Sequence, residues 1–429
     1  MTVTDTLGID IAEERLDNGL RVFVAENHTV QAVTVNLWYG VGSRHEQVGQ
    51  TGLAHLFEHL MFQGSANVAA GEHMTLLESF GADLNATTSF DRTNYFQTVP
   101  TRALELALWL EADRMGGLPA ALDQRNLDNQ RDVVRNERRE RFDNQPYGDA
   151  YERMHALLFP PGHGYHHLPI GSMADLAAAS LDDVRAFFEK HYEPGNAVLS
   201  IVGDVEPREA FALAARYFGH LPPGDSRHER LKEVPPLPAL EEPVHAEASA
   251  DVPAEALICG WRLPADGTEE FDAAAVALRI LGGGASSRLQ ELLTRQNQLA
   301  QGVYATAQDL TVGTAAGLVM VHAHDDVSLT EIEGVLMAEL GRFIETGPTE
   351  AELERALAQA EREWLESTAT LDGLADEISR AACLFGSVDR VGETVARMRA
   401  VTTERVHSVV RAWLNPHQRV QLTYRKEQS

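Results

Sequence analysis

Short segments with apolar residues at alternate positions mark the predicted strands in the first half of the chain. Residues 21–25 and 32–38 carry Val or Leu at every second position, which predicts β-strands. Residues 81–99 are rich in Thr and aromatic residues around a polar turn, which predicts a hairpin. Residues 197–202 form a further apolar run and predict another strand.

Helical periodicity separates these strands. Apolar residues recur at helical spacing in four segments, at 51–64, 101–115, 122–142 and 181–191. The strands and helices do not follow a regular βαβ alternation. We therefore expect an α+β fold, in which helices pack on a sheet, rather than a doubly wound parallel sheet.

The composition changes after residue 221. Seven prolines lie among charged residues between positions 222 and 253, a composition typical of an extended linker. We place the linker at residues 222–245, between a first half at 1–221 and a second half at 246–429.

The pattern of the first half begins again after the linker. Residues 257–261 predict a strand that ends in Trp261, and setting Trp38 on Trp261 gives an offset of 223 residues. At this offset residues 55–59 correspond to Leu-Arg-Ile-Leu-Gly at 278–282. The second half therefore repeats the pattern of elements but not the polar residues of the first helix.

Those polar residues are His55, Glu58 and His59, which share one face of an otherwise apolar helix. Burying two imidazoles and a carboxylate costs several kcal/mol unless each finds a partner. A divalent metal would satisfy both imidazoles, and the order His-x-x-Glu-His is the inverse of the common zincin motif. The alternative is a pair of core histidines hydrogen-bonded to Glu58.

A metal held by two histidines needs a third protein ligand. Glu137 is the best candidate because it shares a helical stripe with Val133, Val134 and Gln130. Glu140 is the second choice. The alternative is that Glu137 belongs to a solvated face of Arg and Glu residues.

Four segments, in this order, resemble a known family. They are HLFEHLMF at 55–62, NATT at 85–88, VVRNERR at 133–139 and PGNAVLSIVGD at 194–204. The chain closely resembles the insulinase/pitrilysin metallopeptidases, in particular the short branch that includes mitochondrial processing peptidase and bacterial relatives. The resemblance extends from about residue 16 to residue 422.

The resemblance implies two homologous α/β-layered halves with mixed, mostly antiparallel sheets, the first half catalytic and the second inert. It implies one zinc ion per chain, bound by His55, His59 and Glu137, with Glu58 as the general base. Many relatives carry a glutamate where this chain has Gln130, so a role for that position stays open.

The resemblance also implies how a peptide substrate binds. Residues 82–88 correspond to an edge strand that pairs with the substrate backbone, so Asn85, Ala86 and Thr87 are the expected substrate-binding residues. Main-chain hydrogen bonds would then supply affinity, and side-chain pockets would supply preference.

A second subunit is implied as well, because this chain amounts to half of the long single-chain members of the family, which close two such halves around the substrate. Their non-catalytic half supplies an Arg and a Tyr near the zinc, and the aligned residues here are Thr294 and Gln301. We therefore expect a heterodimer with a homologous non-catalytic subunit that supplies the pair. A homodimer that uses Arg295 and Tyr304 is the alternative.

Charge and composition narrow the remaining possibilities. Asp and Glu total 64 against 36 Lys and Arg, a net charge of −28 that disfavours nucleic acid and favours basic peptides. The sequence has no membrane-spanning segment and no signal peptide, and its two cysteines indicate no disulfide framework. We expect a cytoplasmic protein.

Two functions remain for the structure to separate. The first is a zinc endopeptidase that cleaves extended peptides, leader segments or unfolded segments inside a two-subunit chamber. The second is a non-catalytic structural subunit of the same fold, but such subunits typically have an eroded motif and here all four residues are intact. We expect no metal in the loop that contains His163, His166 and His167, which has no nearby acid.

Overall fold

The structure is a computed structural model that describes residues 2–4, 9–224 and 234–427. Its strands are β1 (Thr2–Thr4), β2 (Asp10–Arg15), β3 (Arg21–Glu26), β4 (Ala32–Tyr39), β5 (Asp83–Thr88), β6 (Thr93–Pro100), β7 (Ala197–Gly203), β8 (Val244–Ala250), β9 (Ala256–Pro264), β10 (Ala300–Gln308), β11 (Thr314–Ala323) and β12 (Val420–Lys426).

Its α-helices are α1 (Leu53–Leu60), α2 (Glu72–Glu78), α3 (Leu104–Gly117), α4 (Gln124–Arg138), α5 (Ala150–Leu158), α6 (Met173–Ala178), α7 (Leu181–His191), α8 (Pro207–Phe218), α9 (Glu269–Gly282), α10 (Leu329–Thr346), α11 (Glu350–Thr368), α12 (Leu371–Leu384), α13 (Asp389–Arg399) and α14 (Thr403–Trp413). No helix among the described residues is both long enough and apolar enough to cross a bilayer.

The chain forms two compact units, each with its own sheet. The first unit comprises Met1–Arg138, His167–Leu231 and Glu363–Val395, and the second comprises Arg139–His166, Lys232–Arg362 and Ala396–Ser429. The predicted α+β class, with helices packed on mostly antiparallel sheets, is confirmed.

The first sheet has seven strands in the order β1-β2-β3-β7-β4-β6-β5. Only the β3–β7 pair among these described strands is parallel. The central strand β7 is buried at every position, which explains its continuous apolar sequence. Strand β5 lies at the edge of the sheet and pairs with β6 alone.

Helix α12 covers the centre of the first sheet although it comes from the second half of the sequence. Asp376 on α12 accepts hydrogen bonds from Trp38 Nε1 at 3.0 Å, Asn94 Nδ2 at 3.1 Å and Asn36 Nδ2 at 3.2 Å. This partly buried carboxylate, with three donors, satisfies the buried polar groups that these strands direct toward the helix. The first unit is therefore built from both ends of the chain.

The second sheet has the strand order β10-β11-β9-β12-β8, and only its β8–β12 pair is parallel. Read from the other edge, this order matches β3-β7-β4-β6-β5 strand for strand, with the same directions. The offset of 223 residues carries β7 onto β12. The repeat inferred from the sequence pattern is thus present in the topology of the second unit.

The compact units do not follow the predicted boundaries of 1–221, 222–245 and 246–429. Helix α12 joins the first unit, and the segment that carries α5 joins the second, where α5 packs on β9 and β12. The end of the predicted linker is also wrong, because Val244 and His245 already pair with β12. Linker residues 225–233 lie outside the described residues.

Three predicted helices differ from the observed ones. The helix at 51–64 is shorter and becomes α1, because the backbone at Gly52 is left-handed, with φ +89°. The helix at 122–142 ends at Arg138 and continues as a π-helical turn, Arg139–Asp143. The helix that apolar spacing in the second half also predicts, at 287–296, is largely a π-helical turn, Gln290–Gln296.

Candidate metal centre

Helix α1 places its apolar residues in the core and its polar residues on the opposite face. Leu53, Leu56, Phe57 and Leu60 are buried, as is Ala54. The side chains of His55 and His59 have 12% and 23% of their surface exposed, so solvent reaches this face. The helix was predicted to be buried nearly all round, and its polar face is instead accessible.

The third residue of the group comes from α4, which packs on α1. Glu137 Oε2 lies 3.6 Å from His55 Nε2 and 3.3 Å from His59 Nε2. On α4, Gln130 and Val134 are buried and hold the helix against the core. Val133 does not belong to this inner stripe as predicted, since it is 41% exposed.

Glu140, the second choice for the third ligand, is exposed on the π-helical turn after α4. Among the described residues it does not join the group that His55, His59 and Glu137 form. The turn has i→i+5 in place of i→i+4 hydrogen bonds, so the α-helical spacing that suggested Glu140 does not continue through it. The sequence alone did not show this change of helix type.

The donor set of this group fits a zinc ion. One potential ligand atom from each residue lies within 4.8 Å of the others. Tetrahedral zinc with bonds of about 2.0–2.1 Å places neighbouring ligand atoms about 3.3–3.4 Å apart, close to both His–Glu distances. Two imidazoles and one carboxylate are also the set that hydrolytic zinc sites use, with one position left for water.

Glu58 lies beside this group without joining it. Its Oε2 accepts a hydrogen bond of 2.5 Å from the hydroxyl of Thr88 at the end of β5. Burial raises the pKa of the Glu58 carboxyl above its ordinary value, and the nearby Glu137 carboxylate also raises it. This pKa is lowered in part by the hydrogen bond from the Thr88 hydroxyl, by His59 and by Arg92. The net effect makes Glu58 a stronger proton acceptor than an exposed glutamate.

The expected substrate-binding residues lie on the edge strand. Asn85 is exposed on β5, Ala86 is buried and Thr87 is partly exposed. Arg92 fixes the end of the strand, because its Nη1 donates to Thr87 O at 2.9 Å and to Asn94 Oδ1 at 3.0 Å. An edge strand held in this way presents backbone groups that another extended chain can pair with.

The sequence reasoning missed Thr88 and Arg92. Thr88 belongs to the quoted NATT segment, but its contact with Glu58 depends on where the end of β5 meets α1. That placement is a long-range property that local periodicity does not give. Arg92 lies in the hairpin turn, where an arginine ordinarily indicates only a solvated position.

A second group of possible ligand atoms comprises Glu26, His28 and Glu206, all of them exposed. Hydrogen bonds from His28 to Asp204 and Glu26, at 2.6 and 2.5 Å, raise the pKa of the imidazole. Both ring nitrogens of His28 thus already have carboxylate partners, and this exposed group serves as a surface control for the first one.

The histidines of the 163–167 loop have separate partners. His166 Nδ1 bonds to Phe159 O at 2.7 Å, and His167 Nε2 bonds to Glu46 Oε2 at 2.8 Å. Among the described residues they form no metal-like group. The thiol of Cys259 has low reactivity, since burial raises its pKa to about 12.

Comparisons with known proteins match both halves of the chain. The family model described as insulinase, peptidase family M16, matches residues 21–159. The model described as the peptidase M16 inactive domain matches residues 178–360. All of His55, Glu58, His59 and Glu137 fall in the first match.

Individual proteins and structures agree with these models. The zinc protease PqqE of Helicobacter pylori is 32% identical over 373 residues, which cover 84% of this chain and 81% of that protein. The crystal structure of a protease from Helicobacter pylori has a TM-score of 0.89 at 26% identity, covering 97% of this chain and 99% of that one. The peptidase M16 inactive domain from Pseudomonas fluorescens shares the fold, with a TM-score of 0.85 at 18% identity and 98% coverage of both chains.

Proposed function

Because the chain belongs to the insulinase family of peptidases, family M16, we propose that it is a zinc endopeptidase that cleaves extended peptides. The observation that carries the proposal is the group formed by His55, His59 and Glu137 with Glu58 beside it. A zinc ion bound there supplies Lewis-acid chemistry to a peptide carbonyl and to water.

The residues around the zinc have separate tasks. His55 and His59 bind through Nε2 and Glu137 binds through a carboxylate oxygen. Glu58 accepts the proton of the attacking water and passes it to the leaving amine. The Thr88 hydroxyl holds Glu58 Oε2 and so orients the carboxylate that takes up the proton.

The substrate binds as an additional strand on β5. The edge position of β5, which carries Asn85, Ala86 and Thr87, supports this mode, since among the described strands β5 pairs with β6 alone. Thr88 then connects the substrate strand to the base, because it ends β5 and bonds to Glu58. The net charge of −28 supports a preference for basic peptides.

The rival function is that of a non-catalytic subunit. The match to an inactive domain covers residues 178–360, which lie mostly in the second half and include none of His55, Glu58, His59 and Glu137. The intact set of His55, Glu58, His59 and Glu137 favours the enzyme.

We further propose that the active form is a cytoplasmic heterodimer. Thr294 has no charge to stabilise an oxyanion, and Gln301 lacks a phenol, so a homologous partner with Arg and Tyr would complete the site. The homodimer remains the second candidate because Tyr304 is 54% exposed on the edge strand β10. Activity of the chain alone that is lost in Tyr304→Phe would favour the homodimer.

Metal analysis and peptide digestion test the proposed function. Purified wild type should contain one zinc per chain and, with a homologous partner present, should cleave a mixture of unstructured peptides, read by mass spectrometry. Glu58→Gln should keep the zinc and lose hydrolysis. His28→Ala removes the surface group and should change neither.

Three outcomes contradict the proposal. Wild type without zinc would exclude a zinc peptidase. Loss of zinc in Glu58→Gln would make Glu58 a ligand and overturn its role as the base. Zinc-containing wild type that cleaves no peptide, even with a homologous partner present, would favour the structural subunit.

A further inference from the structure

Glu46 is a buried carboxylate in the loop that precedes the metal helix. Its side chain has no exposed surface. Its Oε1 accepts a hydrogen bond from Ala54 N at 2.7 Å, and its Oε2 accepts one from Gly52 N at 2.9 Å. Helix α1 begins after Gly52 without any side-chain cap of its own. Glu46 therefore satisfies backbone donors at the start of α1 and places a negative charge at the positive end of its dipole.

His167 in turn holds Glu46 from a distant part of the sequence. Its Nε2 donates to Glu46 Oε2 at 2.8 Å, and its side chain is 18% exposed. Oε2 thus accepts from two N–H groups at once, those of Gly52 and His167. A glutamine at position 46 cannot reproduce this, since only one of its two side-chain atoms is an acceptor.

The segment that begins at His167 makes a second connection to the start of α1. Ser172 N donates to the Thr51 hydroxyl at 3.0 Å. Thr51 donates from its hydroxyl and its backbone N to Asp175 Oδ2, at 2.6 and 3.0 Å. Residues 167–179, which include α6, therefore fix both the loop before α1 and its first turn. We call them the 167–179 segment.

The same segment also holds α4, the helix that carries Glu137. Arg138, the next residue, donates from Nη1 to Gly171 O at 2.5 Å. About two turns earlier Arg131 donates from Nη2 to Ala179 O at 2.6 Å. Both helices that contribute metal ligands are thus anchored to one short stretch of chain, and the distance between them depends on it.

We propose that Glu46 and His167 are positioning residues for the metal centre. They tie α1 to the 167–179 segment, which also holds α4, and so set the spacing of His55 and His59 from Glu137. The inference rests on the proposed function only in the measurements of zinc affinity and of the cobalt spectrum. Neither residue touches the metal or the substrate; they act through the backbone of α1.

Hydrogen–deuterium exchange of the metal-free protein tests the inference without reference to zinc. In Glu46→Gln the amides of α1 should exchange at least about tenfold faster, because Gly52 N and Ala54 N no longer both have an acceptor. The amides of α8, in the same unit, should be unchanged. His167→Ala should produce the same local effect, and His167→Gln, which keeps a donor, should restore protection.

Zinc affinity gives the second readout, because loss of partners outside the ligand shell typically weakens metal binding by about 10–100-fold. Zinc titration should show such a loss for Glu46→Gln and His167→Ala, with a changed absorption spectrum of the cobalt-substituted protein. His166→Ala is the matched control, since His166 bonds to Phe159 O and not to Glu46.

The outcomes separate this inference from the proposed function. Faster exchange and weaker zinc binding confined to the two variants support it. Exchange in α1 within twofold of wild type, or lower thermal stability with unchanged zinc affinity and cobalt spectrum, overturns it and leaves Glu46 a purely structural residue. Wild type that binds no zinc overturns the proposed function, while the exchange data still decide whether Glu46 and His167 fix α1.

Discussion

The two sheets of this protein have the same strand order but differ in the helix that follows the corresponding strand. In the first unit α1 follows β4, and in the second unit α9 follows β9. At the offset of 223 residues His55, Glu58 and His59 correspond to Leu278, Leu281 and Gly282. Both leucines are fully buried, whereas the polar residues of α1 are partly exposed.

The space next to each helix differs accordingly. A Cβ atom added to Gly282 would lie 2.6 Å from the Ala305 Cβ, so α9 packs directly on β10. In the first unit Glu58 meets the hydroxyl of Thr88 on β5, and His59 faces Glu137. The same scaffold therefore carries a polar site where the helix has His55, Glu58 and His59. It carries an apolar contact where the helix has Leu278, Leu281 and Gly282.

The largest effect should follow from replacing His59 on α1 with glycine, the residue that α9 carries at the corresponding position 282. His59→Gly removes one ligand, so zinc binding should fail and peptide hydrolysis should fall by at least about 10³-fold, equivalent to about 4 kcal/mol. Elemental analysis and peptide cleavage measure both effects. His59→Ala controls for the flexibility of glycine. Full zinc content in both variants would show that His59 is not a ligand.

The second prediction concerns the Thr88 hydroxyl, which connects the edge strand β5 of the first sheet to Glu58 on α1. Thr88→Val should lower kcat by about 10–100-fold with zinc content unchanged, because a hydrogen bond to a carboxylate contributes about 1.5–3 kcal/mol. Steady-state kinetics measure this loss. Thr306→Val, on the edge strand β10 of the second sheet, is the matched control and should have no effect. An unchanged kcat in Thr88→Val would exclude a role in holding Glu58.

The third prediction tests the packing of the second unit. Gly282→Ala should reduce the stability of that unit by about 1–3 kcal/mol, because the new methyl group overlaps Ala305. Hydrogen exchange of the β10 amides measures the change. Gly334→Ala on α10 is the control, since its Cβ would meet no atom within 4 Å. Equal stability of the two variants would show that α9 has room for a side chain.

The smallest expected effect lies in the substrate. An N-methyl group on one peptide nitrogen beside the scissile bond removes one main-chain hydrogen bond to β5, which contributes about 0.5–1.5 kcal/mol. The value of kcat/KM should therefore fall by about 2–12-fold. N-methylation near the end of a long peptide should have no effect. Equal cleavage of all methylated peptides would contradict strand addition at β5.

The sequence predicted the elements of this protein better than their long-range contacts. The strands at 21–25, 32–38 and 197–202 and the helix at 181–191 all formed within about two residues of their predicted limits. Each has a strong local periodicity that tertiary packing does not override. The π-helical turns were not predicted, because their residues have ordinary helical propensity.

The same distinction between local pattern and long-range contact applies to the candidate site. The roles of His55, His59 and Glu137 remain predictions, but the structure brings the three residues together from two helices. The bond between Thr88 and Glu58 was not predictable, nor was the contact between Glu46 and His167, which are 121 residues apart in sequence. Such contacts depend on how elements pack, and local periodicity contains no information on that.

Helix α12 has a consequence for the order in which the protein is made. The three donors that Asp376 satisfies lie on β4 and β6, and they precede Asp376 by 282 to 340 residues in the chain. Until residues 371–384 emerge, the central face of the first sheet lacks its helix and remains open to water or to chaperones. The half that carries the metal group is therefore completed late in translation. A nascent chain would not present a finished peptidase site to other polypeptides at the ribosome exit.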